Sequence, residues 1–514
     1  MQGRSSFAKS SLSVTLGVTR GVTRGVTLSV TLAVLLSGCT VTDMLGSAVE
    51  EEQPQRVTAA FVQAQDPQAP IGEAEHPAVV KANGGAYEDE KLEALLAVVV
   101  AELVAAEPAE DGKPGHAYRV TILDSGTVNA FALPGGYLYV TRGLIALAND
   151  ASEIAAVLAH EMAHVDASHG IQRSQATKAT DIAARVASEV VTDGATGALA
   201  KASSGRKLAS FSQRQELEAD HLGIRRAGRA GFDPHAAERF LKQMRRWASY
   251  RGSLGGGGSN RGGGGDMLST HPSTPERVTL ARAHAERSGL GDTGLSLRER
   301  YLEGVDGLVF GDRADQGFVR GQLYSDKALG VGFAVPRGFA LRNRAGAALA
   351  TGPNEMAVRF DAVPRDKTPG LSPREYIASG WVNGIDSGSI QTAERSGMSL
   401  ATAKAQAGAF DFAVAVFADD THYYRFITAA PKGASGLARV SRSVSGSFER
   451  LSKAELAALK PLRLRVVSVR EGEDVAALAA RMASGGKELF RTLNALDDGA
   501  GLAAGDRVKI VSAD

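Results

Sequence analysis

His160-Glu161-Met162-Ala163-His164 constrains this chain more than any other stretch. Residues four apart lie on one face of an α-helix, so His160 and His164 can turn both imidazoles toward one ion. Glu161 stands beside them, close enough to act on a water held there. The flanks support a helix. Ser152 and Glu153 resemble an N-terminal cap, and Ile154, Val157, Leu158, Met162 and Val165 supply apolar positions. This is the HExxH pattern of zinc hydrolases. The alternative is a chance match on an alanine-rich core helix, which a chain of this length shows roughly once in a hundred tries.

The 514 residues set a soft expectation of about three domains. The chain is 44% hydrophobic and 22% charged, ordinary for a globular protein. Its net charge of +1 gives no argument for a nucleic-acid partner. A single cysteine, Cys39, excludes an internal disulfide, and no thiol ligand or nucleophile lies downstream of it.

Residues 1–38 read as a secretory signal. Arg4, Lys9, Arg20 and Arg24 precede the first acid, Asp43. Gly25 through Leu36 is uncharged and apolar, too short to span a bilayer. The run ends in Leu36-Ser37-Gly38-Cys39, which resembles the lipobox of bacterial lipoproteins. That resemblance implies acylation of Cys39. Thr40 follows where an Asp would oppose sorting to the outer membrane. Residues 39–74 are expected to be a tether, because they lack apolar periodicity. No later stretch approaches 18 uncharged apolar residues, so a soluble body on a lipid tether is expected.

The next region, 75–312, holds the histidine pair. Tyr87 to Ala106 carries a helical stripe, Leu92, Leu95, Leu96, Val99, Leu103 and Val104. Tyr118 to Leu123 alternates like a strand, and 128–141 reads as two strands joined at Pro134-Gly135-Gly136. Asn129, Ala130 and Phe131 could form an edge that pairs with an extended substrate, or simply part of a core hairpin. Zinc wants a third protein ligand. His169 fails the metzincin spacing and reads as a polar residue near a helix end. In Glu216-Leu217-Glu218-Ala219-Asp220-His221, Glu216 and Asp220 share a helix face. One carboxylate can bind the ion while the other accepts the free N–H of a ligand histidine. Glu218 and His221 would point elsewhere. Two runs of four glycines, 255–258 and 262–265, then deliver His271. It could be mere surface, or it could stabilise an oxyanion.

Together Asn129-Ala130-Phe131-Ala132, Pro134-Gly135-Gly136, His160 to His164, Glu216 to Asp220, and His271-Pro272 with Arg277 resemble the gluzincin family of the CAAX-prenyl proteases, HtpX and periplasmic BepA-like peptidases. Tyr301-Leu302 and Gly307 to Asp312 resemble the segment that closes that domain. The resemblance implies one Zn2+ per chain on His160, His164 and Glu216, with Asp220 behind them. It implies Glu161 as general base, with His271 or Arg277 stabilising the oxyanion. It also implies that His271 can swing in to hold the enzyme off. The chain departs from CAAX proteases in lacking membrane spans.

Residues 318–452 alternate short strands and turns and are expected to form an antiparallel α+β domain, as a substrate-handling unit or as a spacer. Residues 462–514 show a strand-helix-helix-strand order that resembles LysM modules. Glu471-Gly472-Glu473 stands where Gly-Asp-Thr is usual, so both a glycan-binding and a purely structural module stay open. The expected fold class is therefore α+β: a mainly helical zincin-type domain with a small edge sheet, an antiparallel domain and a small βααβ domain. The expected function is a zinc endopeptidase anchored through Cys39 at the periplasmic face of the outer membrane. Its expected partners are unfolded or misassembled envelope polypeptides and peptidoglycan. The competing expectation is a non-catalytic assembly factor or chaperone with a peptidoglycan clamp.

Overall fold

A computed structural model describes residues 68–106, 117–173, 194–254, 267–289, 297–314, 316–344, 346–367 and 370–513. The signal, Cys39 and the glycine runs lie outside the described residues. The first body comprises α1 (Ala69–Ala82), α2 (Glu90–Ala105), β1 (Arg119–Leu123), β2 (Ala130–Leu133), β3 (Tyr137–Thr141), α3 (Arg142–Leu147), α4 (Ala151–Asp166), α5 (Gly194–Arg229), α6 (Ala236–Ser253), α7 (Met267–Thr270), α8 (Pro275–Arg287), α9 (Arg298–Val305) and β4 (Val309–Phe310).

Helix α1 corrects one expected boundary, since residues 69–74 are helical and not tether. Pro70 suits a first helical turn. Gly135 and Gly136 adopt φ of +81° and +78° in the turn between β2 and β3. A Cβ on Gly135 would stand 2.5 Å from Ala69 Cα, and one on Gly72 would stand 2.1 Å from the Pro134 oxygen. Bare glycine backbone on both sides thus seats α1 on the turn.

The sheet order is β1-β3-β2, with β1 and β3 parallel and β2 antiparallel to β3. Helix α4 packs beneath it, buried from Ala151 to Val165. A helix buried all round needs small residues where neighbours cross, which accounts for its alanines. Its cap is Asp150, whose carboxylate accepts the Glu153 N–H at 2.8 Å. This places the cap two residues ahead of the expected Ser152. Leu92, Leu96 and Val99 of α2, Ile122 and Val140 of the sheet, and Leu158 and Met162 of α4 share one core.

A seven-stranded antiparallel sheet follows, in the order β11 (Ile385–Arg395), β12 (Met398–Ala407), β13 (Phe410–Ala418), β14 (His422–Pro431), β10 (Ala357–Pro364), β9 (Ala347–Thr351) and β8 (Ala340–Arg344). A four-stranded sheet, in the order β15 (Glu449–Arg450), β7 (Val331–Ala334), β6 (Leu323–Asp326) and β5 (Phe318–Arg320), shares its core. In the larger sheet β10 (Ala357–Pro364) lies between β9 and β14 (His422–Pro431), and β12 (Met398–Ala407) pairs with β13 (Phe410–Ala418). Phe333, Phe360, Phe426 and Phe448 fill its core. The fold is α+β.

The last unit is β16 (Leu462–Ser468), two short helices (Val475–Ala480 and Gly486–Leu493) and β17 (Arg507–Ser512). Strand, helix, helix and strand occur in the expected order, but the unit is not a separate body. β16 pairs with β4, and Leu462, Leu464, Leu489, Leu493 and Val511 join the same core as α2 and α4. Lys509, fully buried, donates from Nζ to the carbonyls of Ala146 (2.9 Å) and Ala148 (2.6 Å) at the end of α3. No helix among the described residues is long and apolar enough to cross a membrane.

Candidate metal centre

Helix α4 presents His160 and His164 one turn apart, with their Nε2 atoms 3.1 Å from each other. Two ligands at zinc's usual ~2.05 Å in a tetrahedral site stand about 3.3 Å apart, so the spacing fits one shared ion. Helix α5 crosses α4 closely, because Gly223 faces the His160 backbone. The crossing brings Glu216 to both histidines, Oε2 3.4 Å from His160 Nε2 and Oε1 3.5 Å from His164 Nε2. Asp220, one turn on, lies behind. Its Oδ1 is 3.0 Å from His160 Nδ1 and can take the proton that leaves Nε2 free as a ligand.

His271 enters from the other side. Short helix α7 is tied to the start of β2 by a Met267 N–H to Val128 oxygen bond of 3.0 Å, and the His271 N–H bonds back to the Met267 oxygen. His271 Nδ1 lies 2.8 Å from Glu216 Oε2, and Nε2 lies 3.6 Å from Glu161 Oε1. Ligand atoms of His160, His164, Glu216 and His271 all fall within 4.8 Å of one another. Glu216 Oε1 and Glu161 Oε1 are buried with no hydrogen-bond partner among the described residues. Buried carboxylate oxygens in that condition call for a cation.

The electrostatics agree. Burial disfavours a charge on His160, but its bonds to Asp220 and Glu216 outweigh this and push its pKa up to about 9. Burial, then the neighbouring His160 and His271, drives His164 down and keeps it neutral. Burial would raise the Glu216 carboxyl, yet His160 and His271 hold it well below the usual range. Burial raises Glu161. The acids demand positive charge at this point, and a divalent ion would meet that demand.

Residues 90–285 match the model of peptidase family M48. They form an M48 peptidase domain. The beta-barrel assembly-enhancing protease of Yersinia pestis is 31% identical over 185 residues, covering 34% of this chain and 35% of that protein. The mitochondrial metalloendopeptidase OMA1 of Schizosaccharomyces pombe is 30% identical over 171 residues, 33% of this chain and 47% of that protein. Metalloprotease LoiP of Escherichia coli is 30% identical over 171 residues, 32% of this chain and 61% of that protein. The chain thus spans between about a third and three fifths of these curated relatives. M48 peptidases are zinc-dependent, and the imidazole and carboxylate donors of this M48 domain are ligands that zinc takes.

In the M48 domain a cleft of about 370 Å³ opens over the cluster, lined by Asn129, Phe131, Leu133, Glu161, His164 and His271. Among the described residues β2 pairs only with β3, so its other edge has no strand partner among them. Ala130 is buried in β2, while Phe131 is half-buried. Asn129 Oδ1 is a buried acceptor with no partner among the described residues.

Arg277 departs from the expected oxyanion role. Its guanidinium donates to both Asp220 oxygens at 2.7 Å and to the Pro272 carbonyl at 3.0 Å, with Glu216 Oε2 at 3.2 Å. Thr274 caps α8 on the Arg277 N–H, and Arg277 is not among the residues that line the cleft. It is a positioning residue for Asp220.

His169, expected as a polar residue near a helix end, has its Nδ1 2.9 Å from His164 Nδ1. Glu218, expected to point elsewhere, lies 3.4 Å from His169 Nε2. No periodicity signals either contact. The only sign in the sequence is that three histidines crowd into ten residues.

Proposed function

We propose that this chain is a zinc-dependent endopeptidase of the bacterial cell envelope that cuts extended stretches of misfolded or stalled polypeptides. The observation that carries the reading is convergence. Glu161 and the donors His160, His164 and Glu216 meet at the foot of a cleft bordered by the outward edge of β2. An extended substrate backbone adds to that edge as a strand. Asn129 Oδ1 accepts a substrate N–H, and Phe131 and Leu133 take apolar side chains.

His160, His164 and Glu216 would hold the ion. When bound, zinc acts as a Lewis acid on the scissile carbonyl and lowers the pKa of an attacking water. Glu161 receives the proton of that water and passes it to the leaving amine. Asp220 and Arg277 keep His160 in the ligating tautomer. His271, as it stands against Glu216, shuts the cleft floor. Withdrawn, it donates an N–H to the developing oxyanion.

The experiment is Glu161→Gln. It should keep one zinc per chain and lose cleavage of an unfolded substrate such as casein, and full cleavage would refute the mechanism. His271→Ala should raise activity or speed metal exchange, and no change in either would leave His271 a purely structural side chain.

The envelope reading is supported by the signal-like residues 1–38, the lipobox-like end at Cys39 and the likeness to a protease named for beta-barrel assembly. Quality control of envelope proteins fits a cleft that takes backbone in extended form. The resemblance of 462–514 to LysM modules suggests peptidoglycan as a second partner. Sedimentation of the whole chain with isolated peptidoglycan tests this, since that unit shares the M48 domain's core.

A further inference from the structure

We infer that His169 is a positioning residue: it fixes the tautomer and ring plane of His164 and ties that ligand, through Glu218, to the helix that supplies Glu216. The inference rests on the zinc reading above and concerns what braces the second histidine.

Five residues on from His164, a side chain on an unbroken helix would point about 140° away. The helix does not continue. Ala167 ends α4, and Ser168 takes φ of +53°, uncommon for a residue with a side chain. That left-handed residue turns the chain so that the His169 ring comes back under His164. The ring centroids are 4.9 Å apart and the planes meet at 72°. His169 is 1% exposed, and Gln215 Nε2 reaches its carbonyl at 3.5 Å.

The protons on this chain have one consistent arrangement. His164 Nε2 faces His160 Nε2 and Glu216 and must offer its lone pair there. Its proton is therefore on Nδ1, and the acceptor 2.9 Å away is His169 Nδ1. The His169 proton is then on Nε2, facing the Glu218 carboxylate at 3.4 Å. Both ligand histidines are thus braced from α5, His160 by Asp220 and His164 by Glu218 through an imidazole. The difference has an electrostatic sense. Glu161, Glu216 and Asp220 already crowd the centre with carboxylates, and an imidazole orients His164 without adding a fourth beside the ring.

The test uses the full chain and zinc itself. Zinc affinity is measured by competition with a chelating dye, and the cobalt-substituted protein gives an absorption spectrum of the ligand field. His169→Phe should weaken zinc binding about 10–100-fold and shift the cobalt bands. His169→Asn places an amide oxygen where Nδ1 stands and should return affinity to within about threefold of the parent. Glu218→Ala, at a surface acid, should lose affinity in the same direction by about two- to fivefold. Parental affinity in the Phe variant overturns the inference. So does an Asn variant as weak as the Phe one, because filling and not hydrogen bonding would then have been lost. An unchanged Glu218→Ala removes the tie to α5. A parent chain that holds no zinc would instead sink the zinc reading, whereas a zinc-binding parent with indifferent variants would sink only the role of His169.

Discussion

Arg277 shows how a residue can be essential to a site without facing substrate. Its two bonds to Asp220 neutralise a carboxylate that is 7% exposed, and Asp220 in turn holds His160. Arg277→Met should leave that acid buried without its fork of donors. A loss of roughly 3–5 kcal/mol in stability is expected, read from urea midpoints, together with weaker zinc binding. Lys at this position cannot make both bonds and should rescue little. A second residue gives a pH signature far from the metal. Burial pushes the Asp419 carboxyl up, but Thr421 through side chain and N–H, the His422 N–H and the Tyr424 hydroxyl outweigh it and hold it well below the usual range. A carboxyl depressed by folding stabilises above its unfolded pKa, near ~3.9, and loses that contribution as pH falls toward the folded value. Asp419→Asn should therefore cost roughly 1–3 kcal/mol at pH 7, with the gap to the parent closing as pH drops below about 4. Equal pH dependence in the two proteins would refute it. At this scale the sequence was legible wherever chemistry follows helical spacing. His160, His164, Glu216 and Asp220 all lie four apart in pairs. Arg277 was legible as a presence but not as a direction, because its partner Asp220 lies on another helix, 57 residues away in sequence. His169 was hidden because the left-handed Ser168 has no signature in residue type.

Between elements, the crossing of α4 and α5 is set by Gly223. A Cβ there would come within 2.9 Å of the His160 nitrogen and 3.1 Å of Ala159 carbon, both backbone atoms that cannot move alone. Glycine inside a helix costs about 1 kcal/mol against alanine, so ordinary helix propensity would favour replacement. Gly223→Val should nonetheless destabilise by roughly 1–3 kcal/mol and separate Glu216 from the histidines, lowering zinc affinity alongside the thermal midpoint. A stabilised variant with unchanged zinc binding would show that the crossing has slack. The β elements divide by composition. Phe410–Ala418 and His422–Pro431 are aromatic and alternating, and they read as strands. Met398–Ala407 is rich in alanine, a helix former, yet it is β12. Its Ala401 and Ala403 are buried beside Tyr376 and Ile377, so small side chains there serve packing against a neighbour that local propensity does not report.

In the whole molecule the first and last regions share one core, whereas residues 318–452 keep cores of their own. The strand-helix-helix-strand order of 462–512 was readable, because each element keeps its own period. Its attachment was not, since pairing of β16 with β4 depends on three-dimensional register and leaves no local pattern. Gln243 also spans the junction, with Nε2 reaching the carbonyls of Leu147 and Thr492. Removal of residues 462–514 should therefore abolish soluble expression or casein cleavage, rather than yield an active M48 domain that merely fails to bind cell wall. Lys509→Met should cost roughly 2–3 kcal/mol, because the carbonyls at the end of α3 lose their donor inside the core. Full activity in the truncated chain would contradict both expectations.

Lys509 lies 361 residues beyond Ala148, whose carbonyl it binds. Contacts so distant in sequence form only after the intervening chain has been made. The carbonyls at the end of α3, just ahead of the helix that carries Glu161, gain their donor only once this strand is in place. The turn that leads into the Glu161 helix is thus among the last parts of this core to gain its buried donor.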